Sequence, residues 1–280
     1  MSQRHAGPLA RDFMAKGVLT ARQGWTVQRA IDVMAEHDIG SVVVTDAMGP
    51  CGVFTERDLL SRVLAKGKEP DATVISEVAS QSFPVIESSA TLEAVATAMI
   101  AKKSRLMVFE GADLVGMVTP TDMVKALNRV GEDFSILKVI STRIVTVTPE
   151  TPVRTAVRLM DERKVGSVLT TEDGKWNGIF TERDLVKRIL AKRRSMGTEV
   201  AEVASTPLVT AEPGIFGREA AVTMATHGFK RLPLRLGDEG VGIVTARDIV
   251  QAYAEACAPQ TSFGSSRPPA FPRAGGHPAN

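Results

Sequence analysis

Four places in the chain carry a hydroxyl and a carboxylate at one spacing: Thr55 and Asp58, Thr119 and Asp122, Thr181 and Asp184, Thr245 and Asp248. In three of them an arginine precedes the aspartate: Arg57, Arg183 and Arg247. Two chemistries fit. The first is local: Thr at a helix N-cap with an acid three residues on is close to a capping box, and stabilises its helix by roughly 1 kcal/mol with no ligand. The second is recognition. Capping boxes favour Glu or Gln, whereas all four copies here use Asp, a short lever suited to accept two hydrogen bonds from a ribose diol. Arginine in a first helical turn opposes the helix dipole, and a nearby anion reverses that sign. A helix N-terminus with a hydroxyl and free N–H groups also suits phosphate. The second copy departs from the rest. Pro120 removes one N–H and Thr121 stands where the other three copies have Arg, so this position is expected to hold phosphorylated ligands least well.

These residues sit in a repeat. Residues 51–67 and 177–193 are nearly the same sequence, and Thr55 and Thr181 are 126 residues apart. The same offset relates 39–43 to 165–169, and Val27, Ala30, Ile31 and Met34 to Val153, Ala156, Val157 and Met160. Each half divides again: residues 115–124 and 241–250 resemble the first pair, so the four threonines follow at intervals of 64, 62 and 64. The order is A-B-A-B. Type B copies are marked by the basic stretches at 103–108 and 229–234.

Each repeat predicts the same elements. A short first strand, such as 143–148, precedes a helix with apolar residues at i, i+3, i+4 and i+7. Thr151 and Pro152 read as a cap followed by proline at the first helical position. Gly217 makes the fourth repeat less regular. Two β-branched strands joined by a turn come next (41–45 and 52–55), then a second amphipathic helix at 58–66. The fold class is therefore α+β, with four β-α-β-β-α motifs. A unit of about 60 residues is marginal alone, so motifs pair. The expected domains are 9–130 (motifs 9–67 and 72–130) and 136–257 (motifs 136–194 and 199–257), with a junction near 131–134 and a disordered Pro/Gly-rich tail at 258–280. Met34, Met99, Met160 and Met224 read as core.

Composition narrows the partners. The 280 residues carry 34 basic and 32 acidic side chains, net +2, with 5% aromatics. That gives no field or stacking surface for nucleic acid. The basic run at 187–194 reads instead as a helix C-terminus complementing the dipole. No apolar run approaches the ~20 residues of a membrane span, and residues 1–17 lack the apolar core of a signal peptide. Cys51 and Cys257 read as reduced thiols in a cytoplasmic protein. The four histidines are scattered, so no metal site is expected. There is no nucleophile elbow or phosphate-binding Walker loop, and the chain is expected to be no enzyme.

The stretches 39–44 and 230–234, each followed by a turn and then Gly-apolar-apolar-Thr-x-x-Asp, resemble the cystathionine β-synthase (CBS) domain family, four times over nearly the whole chain. The resemblance implies a stand-alone protein of two CBS modules, each with clefts for adenosine-containing ligands: AMP, ADP, ATP (with Mg as its companion ion) or S-adenosylmethionine. It implies that the threonines contact phosphate and the aspartates hold ribose hydroxyls. Val18, Thr20, Ile144 and Thr146 would flank an adenine, with the backbone at Gly40, Ser41 and Val42 and at Gly166, Ser167 and Val168. Arg105, Lys230 and Arg231 would meet phosphates from the facing motif. Ligand binding would regulate an unidentified protein partner. The modules would pack face to face through their helices within the chain, with homodimerisation as a further step. The alternatives are a nucleic-acid-binding regulator or a scaffold with ligand-free clefts.

Overall fold

A computed structural model describes residues 7–102, 105–128 and 133–258. The tail expected at 258–280 lies, from residue 259, outside the described residues, as do Lys103 and the first part of the 131–134 junction.

The first repeat is preceded by α1 (Ala10–Phe13) and contains β1 (Thr20–Arg22), α2 (Val27–Glu36), β2 (Ser41–Asp46), β3 (Gly49–Thr55) and α3 (Glu56–Asp58). The second contains β4 (Val85–Glu87), α4 (Leu92–Lys102), β5 (Leu106–Glu110), β6 (Asp113–Val118) and α5 (Pro120–Leu127). The third contains β7 (Thr146–Val147), α6 (Val153–Glu162), β8 (Ser167–Glu172), β9 (Lys175–Thr181) and α7 (Glu182–Asp184). The fourth contains α8 (Gly217–His227), β10 (Arg231–Leu236), β11 (Glu239–Thr245) and α9 (Ala246–Cys257). In the first three repeats the first strand runs parallel to the second, which pairs antiparallel with the third. Hairpin register sets Ser41 opposite Thr55 and Ser167 opposite Thr181, so each second strand of type A begins beside a threonine cap.

Three local expectations are corrected. The fourth repeat has no first strand, only a bridge from Ala211 to Leu234. Val43, Met107 and Leu169 each donate an N–H to the segment at the first strand, but Pro233 stands at the matching place and has none to give. Pro152 is the N-cap of α6, not its first helical residue. The N–H groups of Val153 and Arg154 are taken by the carbonyls of Thr198 and Met196. In both type A repeats the second helix makes one α-helical turn and then widens into a π-helix, Leu59–Val63 and Leu185–Leu190, with i to i−5 bonds such as Leu64 N–H to Leu59. π turns of this kind are rare and often lie at functional sites.

Packing joins like to like. One apolar core draws on repeats one and three, with Ile31, Met34, Phe54 and Leu60 beside Met160, Phe180, Leu185 and Ile189. The other draws on repeats two and four, where α4 meets α9 and α5 meets α8. Within the first half, the sheets of repeats one and two meet through Val43, Val53, Met107 and Met117. Within the second half, the Trp176 ring of β9 lies against Gly240 of β11. The four methionines expected in the core are fully or almost fully buried. No helix among the described residues is long and apolar enough to cross a membrane.

Candidate functional site

All four Thr-x-x-Asp elements adopt one geometry. The threonine N–H donates to the aspartate Oδ2 at 3.0 Å (Thr55), 2.9 Å (Thr119), 2.9 Å (Thr181) and 2.8 Å (Thr245), and each hydroxyl donates to the same oxygen at 2.7 Å. Asp is therefore long enough to close the capping box, and the inference drawn from its shortness does not hold. The N–H groups of Asp58, Asp184 and Asp248 return the bond to the threonine hydroxyl, while that of Asp122 goes to the Thr119 carbonyl at 3.0 Å. Each cap thus uses Oδ2 and leaves Oδ1 for other partners. Burial holds the carboxyls of Asp58, Asp184 and Asp248 above the ordinary range, against the pull of the threonine hydrogen bonds.

In type A repeats Oδ1 meets an arginine one turn on. Arg62 Nε lies 3.3 Å from Asp58 Oδ1 and Arg188 Nε lies 3.3 Å from Asp184 Oδ1. Each guanidinium is anchored on a carbonyl, Arg62 to Val78 and Arg188 to Val203. The spacing is visible in the sequence: Arg follows Asp by four in both type A copies, and Ala126 and Ala252 stand there in type B.

Thr181 and Asp184 face a cavity of about 630 Å³ between repeats three and four. Its walls are Arg183, Lys187 and Arg188 on one side and Phe229, Lys230 and Arg231 on the other, with residues 205–209 forming part of the lining. That volume is typical of small-molecule sites.

Behind the cavity the charges interlock across the repeats. Arg57 pairs with Glu182 (3.2 Å), and Arg183 pairs with Glu56 (3.4 Å). Lys230 reaches the other oxygen of Glu56 (3.2 Å), and Arg231 the other oxygen of Glu182 (2.9 Å). Both glutamate side chains are only 10% exposed. Arg105, from repeat two, donates to the Gly40 carbonyl, and Arg247 lies within electrostatic reach of Arg57 and Glu182. Burial opposes the charge on Glu56, but Lys230 and Arg183 outweigh it and hold the carboxyl below its usual range. Close approach is possible because a Cβ at Gly40 would crowd Glu56 and Lys230, and one at Gly166 would overlap Arg231.

The family model described as CBS domain matches residues 10–65, 75–129, 133–191 and 200–255. The chain belongs to the CBS domain family. The CBS domain-containing protein YhcV of Bacillus subtilis is 35% identical over 115 residues, covering 41% of this chain and 82% of that protein. Uncharacterized protein MJ1404 of Methanocaldococcus jannaschii is 23% identical over 265 residues; the match takes in 88% of this chain and 62% of that protein's length, less than two thirds of it. Among solved structures, protein MJ1225 of Methanocaldococcus jannaschii, proposed as an archaeal homologue of g-AMPK, superposes with a TM-score of 0.73 at 17% identity, over 88% of this chain and all of that one.

Among the sequence-based candidates, the CBS fold brings Thr181, Arg183, Asp184, Lys230 and Arg231 to one cavity. Arg57, Arg105 and Arg247 join the charged centre behind it. Val18 packs instead at the sheet contact of the first half, Thr20 pairs with Val43 on β1, Thr146 pairs with Leu169, and Ile144 bonds to Thr142; none of the four lines this cavity. The Ser41 hydroxyl points at the Met117 sulfur, and Ser167 is buried. Sequence reasoning missed residues 205–209 and the arginines Arg62 and Arg188. Nor does the sequence show that Glu56 and Glu182 pair with arginines across repeats. The basic run at 187–194 is matched by carboxylates: Lys187 by Asp38, Arg188 by Asp184, Arg193 by Asp71 and Arg194 by Glu202. Among the described residues no cluster of three or more His, Cys, Asp or Glu is placed to hold a metal ion.

Proposed function

We propose that this CBS protein is a non-catalytic cytoplasmic sensor of adenosine-containing ligands, with residues 9–130 and 136–257 as its two modules. The observation that carries the reading is the polarity of the 630 Å³ cavity. Its lining sets the Asp184 carboxylate, whose Oδ1 already meets Arg188 and the Ser205 hydroxyl, together with a group of cations, Arg183, Lys230 and Arg231. A nucleotide has the matching polarity: a ribose diol donates to the carboxylate, and the phosphate meets the cations and the Thr181 helix N-terminus. AMP, ADP and ATP fit this arrangement, ATP with Mg²⁺ as its companion ion. S-adenosylmethionine suits the Thr119–Asp122 cleft, which has Pro120 and Thr121 in place of phosphate donors. The likeness to a proposed g-AMPK homologue supports a regulatory role. A shift in how the helices of the two halves pack would carry the ligand state to a protein partner.

Isothermal calorimetry with AMP, ADP, ATP and S-adenosylmethionine, beside mass spectrometry of small molecules released on denaturation, tests the reading. Saturable heat with at least one phosphorylated adenosine and unchanged nucleotide after incubation is expected. No heat with any of the four at millimolar concentration, and no adenosine compound released, would sink it.

A further inference from the structure

The cations that would greet a phosphate are already occupied. Arg183 and Lys230, both on the cavity wall, are held by the two oxygens of Glu56, and Arg183 also meets Asp38, itself on the wall, at 3.6 Å. Arg231, also on the wall, is held by Glu182. The glutamates do not belong to the cavity lining; they reach its cations from behind. Glu56 comes from the first half of the chain, so its carboxylate crosses between halves to do this. The match is imperfect at Glu182, whose Oε1 is buried and has an ion-pair contact to Arg57 but no aligned hydrogen bond among the described residues. Each glutamate is the first residue after a threonine cap.

We propose that Glu56 and Glu182 are specificity-determining resident anions: a phosphate entering the Thr181–Asp184 cleft must displace them from Arg183, Lys230 and Arg231, whereas a neutral nucleoside need not. This rests on reading that cleft as one that accepts an anion. Selectivity follows from charge. A carboxylate that already satisfies the cations at 2.9–3.4 Å cancels most of their pull on a weakly charged ligand. Only a group of higher charge density regains more than the displaced ion pairs supplied, so di- and triphosphates gain over monophosphate. Glu182 also pairs with Arg57 of the first half, which the carbonyls of Val165 and Lys164 hold as well, so displacing Glu182 removes the ionic partner of Arg57 beside the Thr55 cap and links the two type A caps.

The test uses the full chain and three probes: inorganic pyrophosphate, ADP and adenosine. Glu56→Gln keeps the size of the side chain but removes its charge, and should tighten pyrophosphate and ADP by about tenfold or more while changing adenosine by less than threefold. Glu182→Gln, which leaves the Glu56 pairs in place, should act in the same direction and serves if the first variant does not fold. Unchanged or weakened pyrophosphate and ADP binding in both variants would overturn the proposal. So would an absence of pyrophosphate binding to every form. If pyrophosphate gains while ADP and adenosine bind no form, the resident-anion role stands and the adenosine reading fails.

Discussion

At the scale of single residues, Asp184 has two duties that can be separated. Its Oδ2 closes the cap on Thr181, and its Oδ1 faces Arg188 and the cavity. Asp184→Asn keeps one oxygen for the cap and removes the charge. Burial disfavours that charge, so its loss returns part of the desolvation cost. Stability should change by about 1 kcal/mol or less, the size of a cap effect. Nucleotide affinity should fall at least about tenfold, because a charge-assisted bond to the ribose is worth roughly 1.5–3 kcal/mol. Urea unfolding and calorimetry on the same variant check both numbers. A large stability loss with unchanged affinity would make Asp184 a cap and nothing more.

At the scale of elements, α8 shows packing deciding against propensity. Gly217 opens this helix, where the matching residue of α4 is Leu92. The reason lies at the end of the junction: a Cβ on residue 217 would overlap the Phe134 ring, and Gly217 N–H donates to the Phe134 carbonyl at 2.8 Å. Phe134 in turn meets Tyr253 of α9 edge-on, with centroids 5.6 Å apart. Helix propensity favours Ala over Gly by up to about 1 kcal/mol, less at a helix end. Overpacking a buried ring costs typically about 1–3 kcal/mol. Gly217→Ala should therefore lower the urea midpoint at unchanged slope, whereas a raised midpoint would mean that Phe134 can swing aside.

At the scale of the whole molecule, the two halves share both large cores, so neither half buries its helices alone. Unfolding should be a single transition. The sequence supplies the reporters: Trp25 lies in the first half and Trp176 in the second, and there are no other tryptophans. Trp25→Phe and Trp176→Phe each leave one emitter. The normalised fluorescence curve of each variant should coincide with its own far-ultraviolet circular dichroism curve. Fluorescence and dichroism that separate in either variant would show a half unfolding on its own.

Much of this was legible in the chain by itself. The 126-residue offset showed two halves, the 64, 62 and 64 spacing of the threonines divided them into four repeats in A-B-A-B order, and the apolar spacing placed α2, α4 and α6. The Thr-x-x-Asp spacing located four helix starts, because capping is a local interaction between residues three apart. Local signals also misled where a distant group intervened: Pro233 removed a strand partner, and the segment at 196–198 took over the start of α6. What only the tertiary structure decided is which copy meets which. Arg57 could have paired with its neighbour Glu56, and Arg183 with Glu182; the sequence around both is the same Thr-Glu-Arg-Asp. Near-identical repeats encode near-identical local preferences, so nothing within one copy distinguishes its own partner from that of its twin. Packing like helices against like helices brought the two caps face to face, and there Arg57 took Glu182 while Arg183 took Glu56.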